Sequence, residues 1–167
     1  MLRCARRVYW TLATILSEAS TLGVEENAKR NFNCGFNCAE SVLLTVHNSL
    51  NEKDGANDQV IPRAATGFGG GIGRNGDICG ALMGGVIAIS LALGRDKPDQ
   101  AREPCYPAVD RLYNDFRTKF GSCRCRELTN VNLKTPQGAL TYQTEEVSEI
   151  VAVRRETHQD AILATWR

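Results

Sequence analysis

The chain has 167 residues, a formal net charge of +1 and seven cysteines. That length suits one domain with its own core, and the balanced charge gives no basic excess for nucleic acid or an anionic membrane surface. No apolar run reaches the roughly 18 to 20 residues of a membrane span, and an odd, high cysteine count points to metal ligation or redox chemistry in a reducing, cytoplasmic compartment rather than to a secreted disulfide framework.

Arg3, Arg6 and Arg7 precede an apolar run with no acidic residue before Glu18. A targeting peptide has that form, but threonine breaks the run and no small-x-small cleavage site follows. Val8, Leu12, Ile15, Leu16 and Ala19 instead recur at helical spacing, which predicts a helix from about Arg6 to Leu22. Glu25 to Asn33 reads as a second helical piece that stops at Gly35. Asn37 followed three residues later by Glu40 is a helix-start signal, with Val42, Leu43, Val46 and Leu50 on the buried face that follows. Asn51 to Asp58 is a polar loop, and Val60 to Thr66 a short helix ending at Gly67.

The stretch TGFGGGIGRNGDICGALMGGVIAISLALG, residues 66–94, organises the chain. Glycine permits positive φ and close backbone approach at an entropic cost, so something packs against this backbone or is wrapped by it. Asp77 is the expected N-cap of a buried helix from Ile78 to Leu93 containing Gly84-Gly85. Pro107 opens a further helix whose Val109, Leu112, Tyr113, Phe116 and Phe120 form one apolar stripe, closed by Gly121. Asn130 to Gly138 reads as loop and Glu145 to Ala164 as helix. The fold class is all-α: a single compact helical domain built around the glycine-rich loop and the buried Gly-Gly helix.

Cys38 and Cys79 each fall in the first turn of a predicted helix, where unpaired amides favour an anion such as a thiolate. Cys123 and Cys125 form a C-x-C just past a helix end, from which both can reach one centre. The spacings are not those of a zinc finger. Cys105, between Pro104 and Pro107, and Cys4 read as spare, and His47 and His158 as surface or partly buried histidines. Gly71-Ile72-Gly73-Arg74-Asn75-Gly76 matches G-x-G-x-x-G, but a dinucleotide site needs a strand before it, and a helical piece precedes this one.

The segments GFNCAESVLL (35–44), TGFGGGIGRNGDICGALMGG (66–85) and FGSCRCREL (120–128) resemble the C_GCAxxG_C_C family of small redox-active proteins of bacteria and archaea. The resemblance covers roughly Glu25 to Leu133, and related modules occur in split-Soret cytochromes, where the family cysteines hold an iron–sulfur cluster. It implies a helical redox domain over 25–133, with 1–24 as an N-terminal helical extension and 134–167 as a C-terminal helical segment on the same domain. It matches Cys38, Cys79 and Cys125 to family cysteines. The family's further C-terminal cysteine has no counterpart, since no cysteine follows Cys125, while Cys123 and Cys34 are extra thiols that offer a fourth ligand.

The resemblance therefore implies an electron-transfer protein in which Cys38, Cys79, Cys125 and either Cys123 or Cys34 hold an iron–sulfur cluster, [2Fe–2S] in type. Gly69, Gly70, Gly71, Gly73 and Gly80 would then let backbone amides approach the cluster. A thiol–disulfide protein using Cys38 and Cys79, and a structural zinc or interaction module, are the alternatives. The expected partners are a redox protein and a second copy of the chain.

Overall fold

The computed structural model describes residues 23–50 and 60–142. The predicted helices Arg6–Leu22 and Glu145–Ala164 and the polar loop Asn51–Asp58 lie outside those residues. Among the described residues seven α-helices follow in order: α1 (Val24–Asn33), α2 (Cys38–Leu50), α3 (Val60–Ala65), α4 (Gly80–Leu93), α5 (Cys105–Phe120), α6 (Cys125–Thr129) and α7 (Pro136–Thr141). One 3₁₀ turn, Thr66–Phe68, continues α3. The class is all-α, as the sequence predicts. Among the described residues the strand-like pairing is confined to one antiparallel bridge, Ile78 with Arg124. No helix among them is long and apolar enough to cross a membrane.

The central element pair is α2 against α4, with α1 and α3 on α2 and α5 on α4. Helix α2 begins where the sequence places it. The Asn37 side chain accepts from the amides of Ala39 and Glu40 at 2.9 and 3.1 Å, and Glu40 returns the bond by accepting from the Asn37 amide at 2.8 Å. This reciprocal cap satisfies amides that the first helical turn leaves without partners. Ala39, Val42, Leu43 and Val46 then turn inward. Helix α4 has hardly a polar residue, and its buried positions include Ala81, Leu82, Gly84, Gly85, Ala88 and Ile89. Leu112 and Phe116 of α5 complete the core, with the Phe116 and Phe120 rings 4.8 Å apart.

Gly84 sets how closely α2 and α4 approach. A Cβ there would stand 2.5 Å from the Ala39 carbonyl oxygen and 3.1 Å from Val42 Cβ. Only a residue without a side chain lets the two backbones meet at that distance.

Three boundaries differ from the sequence expectation. Helix α4 starts at Gly80 rather than Ile78, because Asp77 and Ile78 are drawn into the bridge: the Asp77 carbonyl accepts from the Cys125 amide at 2.7 Å. Asp77 is therefore a pairing residue and not the cap. Helix α5 starts at Cys105, which leaves Pro107 in the first turn, where its missing N–H disrupts no helical bond. Tyr113 of the predicted stripe is exposed, and Ala108 is buried instead. Part of the expected 130–138 loop is also helical, since Thr135 caps α7 by accepting from the Gly138 amide at 3.1 Å, and Pro136 follows as its first residue.

Gly84→Val is expected to cost about 1–3 kcal/mol through overpacking at the α2–α4 contact. Gly67→Ala, where nothing lies within 4 Å of the added Cβ, should stay within about 0.5 kcal/mol of the parent. Urea unfolding of the two variants measures the contrast.

Candidate redox centre

Three cysteines stand at helix beginnings. Cys38 is the first residue of α2, Cys79 directly precedes α4, and Cys125 is the first residue of α6. Each is only 3% exposed, and Cys123 is 8% exposed. All four are free thiols, as is the half-buried Cys105.

The bridge between Ile78 and Arg124 holds the second and third of these helix starts together. Across it the Cys79 amide donates to the Cys123 carbonyl at 2.8 Å, and the Cys125 amide to the Asp77 carbonyl at 2.7 Å. This antiparallel register sets Cys79 opposite Cys123 and Asp77 opposite Cys125. In such a ladder opposed residues share a face, and so do alternate residues along one strand. The register thus sets Cys123 on the same side as Cys79, and both pack into the same core. Cys123 packs into the helical core and Cys125 into a smaller cluster with Val131 and Leu133.

The glycine loop is a left-handed passage of the chain. Residues 70 to 74 all have positive φ, including Ile72 at 58° and Arg74 at 68°. A β-branched residue there is an outlier, and each non-glycine residue costs about 1–2 kcal/mol. The amides of residues 72–77 donate to carbonyls within the loop and its entry, which fixes the conformation. The glycines meet protein rather than open space. A Cβ on Gly69 would strike the Asn37 side chain, one on Gly70 would reach Leu133 at 2.7 Å, and one on Gly71 would reach Cys125 Cβ at 2.7 Å. A Cβ on Gly80 would overlap the Cys38 sulfur. Gly73 alone of the five predicted glycines has nothing within 4 Å. The loop is also tied to α2. The Thr66 hydroxyl donates to Glu40 Oε1 at 2.5 Å, and the Asn37 side-chain amide donates to the Thr66 carbonyl at 3.1 Å.

The three sulfurs share a neighbour that sequence reasoning missed. Tyr142, just after α7, lies near enough to Cys38, Cys125 and Cys79 for each to act on its hydroxyl. Burial, then the charge of Cys38, then the charges of Cys125 and Cys79, push the phenol far above its ordinary range. Its ring meets Phe32 of α1 edge-on at 6.0 Å and packs against the Cys125 cluster. The available signal was Thr135-Pro136, a cap and first helical residue whose short helix carries the chain to Tyr142. A lone tyrosine has no motif.

Cys34 is exposed and disulfide-bonded, so its sulfur is not a free ligand in this state. Cys105 lies by Ser90, 3.9 Å from its hydroxyl, on α4. His47 is half-buried on α2; Cys4 and His158 lie outside the described residues. The element before the G-x-G-x-x-G match is helical, as expected, which removes the strand a dinucleotide site requires. Among the described residues, no three His, Cys, Asp or Glu side chains are grouped as one bound metal ion requires.

The fold and these cysteines define a small helical domain with a buried thiol centre. The chain belongs to the C_GCAxxG_C_C family, described as "Putative redox-active protein (C_GCAxxG_C_C)", whose pattern matches residues 36–155. It is also similar to a protein of Archaeoglobus fulgidus described as "Uncharacterized protein", at 32% identity over 109 residues, covering 60% of this chain and 67% of the relative. No solved structure matches.

Gly80→Ala should force Cys38 away from the start of α4. The expected result is a loss of about 1–3 kcal/mol in urea unfolding. Faster labelling of Cys38 by a maleimide, read by peptide mass mapping, should accompany it.

Proposed function

We propose that the protein is an electron carrier whose Cys38, Cys79, Cys123 and Cys125 hold an iron–sulfur cluster of the [2Fe–2S] type. The observation that carries this is that Cys38, Cys79 and Cys125, buried at three helix starts from distant parts of the chain, all lie near enough to Tyr142 to act on its hydroxyl. Four free thiols, all buried and all soft donors, suit iron–sulfur chemistry in kind and number. With Cys34 in a disulfide, Cys123 is the remaining candidate for the fourth place.

The bound cluster would supply one-electron chemistry. The protein's own part is to hold the thiols in place and exclude water. The α2–α4 contact fixes Cys38, the bridge fixes Cys79, Cys123 and Cys125, and low exposure keeps solvent out. A redox protein that receives or delivers the electron is the partner this function requires.

A thiol–disulfide function is the second reading, favoured by one observation: the register sets Cys79 opposite Cys123. Two such thiols can close a bond when oxidised, each losing a hydrogen to an external disulfide that is reduced to two thiols.

Anaerobic purification should yield coloured protein with iron and acid-labile sulfide, and Cys38→Ser and Cys125→Ser should each abolish most of both. Colourless protein lacking both elements overturns the cluster. If that protein also loses about two daltons on mild oxidation, as one new disulfide requires, and Cys79→Ser prevents the loss, the second reading takes its place.

A further inference from the structure

A cleft of about 240 Å³ lies beside the bridge, between the end of the glycine loop and the start of α6. Asn75, Gly76 and Asp77 form one wall, and Arg124, Arg126 and Glu127 the other. The two walls are tied together through their backbones. The Cys125 amide donates to the Asp77 carbonyl at 2.7 Å, and the Arg126 amide to the Gly76 carbonyl at 3.0 Å. Gly76 makes room for Arg126: a Cβ there would stand 2.9 Å from Arg126 Cβ and 3.0 Å from its Nε. The Arg126 guanidinium thus lies along the loop, where Nη2 donates to the Asn75 carbonyl at 3.4 Å. Glu127 is held from its own wall, since the Ser122 hydroxyl donates to its Oε2 at 2.5 Å.

The cleft carries two charges of each sign, Arg124 and Arg126 against Asp77 and Glu127, all exposed. Among the described residues the ion pair within 4 Å is Arg111 with Asp115 on α5, and none joins an arginine of the cleft to its carboxylates. We infer that this cleft binds a small zwitterion carrying a carboxylate and an ammonium, as in a free α-amino acid. The guanidinium fork matches a carboxylate, with two parallel N–H donors for two oxygens. Asp77 and Glu127 supply acceptors for the ammonium. A simple anion would meet like charge from those two carboxylates, and a simple cation like charge from the two arginines. The volume falls below the roughly 300–1,000 Å³ of a drug-sized ligand's pocket, which limits the ligand to a small molecule. This site goes beyond the function proposed above and does not depend on what the thiols hold. Its walls are the segments that the bridge joins, so a ligand spanning them binds the paired state and steadies it.

Glycine is the probe, since it carries both groups and no side chain; acetate and methylamine carry one each. In the full chain, glycine should shift the amide resonances of residues 75–77 and 124–127 saturably. At equal ionic strength it should bind about tenfold more tightly than acetate, methylamine or inorganic phosphate, as loss of one charged hydrogen-bonded group implies. Arg126→Gln and Glu127→Gln change exposed side chains, so each should keep the fold and weaken glycine by a similar factor. Hydrogen exchange at the Cys79 amide, bonded across the bridge to Cys123, should slow with glycine in the parent and not in Arg126→Gln. Acetate or phosphate binding as tightly as glycine overturns the proposal, and so does the absence of a saturable shift in those residues. Equal glycine binding by both variants and the parent overturns it too, and exchange at Cys79 that ignores glycine overturns the steadying of the bridge.

Discussion

The structure depends on the approach of two backbones, that of α2 at Ala39 and that of α4 at Gly80 and Gly84. The missing side chain at Gly84 lets the Ala39 carbonyl come within 2.5 Å of where a Cβ would be. One turn earlier, the missing side chain at Gly80 leaves room for the Cys38 sulfur. The same approach therefore closes the core and seats a cysteine against the start of the next helix. Glycine in a helix interior is destabilising by roughly 0.5–1 kcal/mol relative to alanine. Burial of Leu43, Leu82, Ile89, Leu112 and Phe116 offsets that cost, each fully buried side chain contributing on the order of 1.5–3 kcal/mol.

The glycine loop extends the same constraint to the other cysteines. Its left-handed run from 70 to 74 reverses the chain so that Asp77 and Ile78 leave in extended form. In that form they pair with Arg124 and Cys125. Without the pairing the C-x-C would be an untethered connection between α5 and α6. Gly71 lies against Cys125 and Gly69 against Asn37, so one loop abuts both the cap of α2 and the start of α6. The strained conformation of Ile72 and Arg74 is held by amide bonds inside the loop, an arrangement that recurs where a backbone must be fixed for function.

Local signals in the sequence were reliable where a single segment determines the outcome. Asn37 and Glu40 formed the cap that their spacing predicts, and Gly121 closed α5 with φ of 76°. Signals failed where a distant segment decides. Asp77 has the chemistry of a helix cap, but pairing with Cys125 claims its backbone and moves the start of α4 by two residues. The amides of residues 72–77 donate to carbonyls within the loop and its entry. That outcome depends on a run of positive φ, which a glycine count permits but does not specify. Tyr142 is the clearest case. Its place is set by packing on Phe32 and Cys125, residues 110 and 17 positions away, and no periodicity records such contacts.

Burial decides what kind of chemistry the centre can perform. Thiols at 3% exposure cannot be approached by a bulky disulfide unless the surrounding helices open. An electron needs no such opening, since it can pass through packed protein without any atom entering. Cys38, Cys79 and Cys125 are enclosed by helix starts and a left-handed loop, an enclosure that lowers the local dielectric around them.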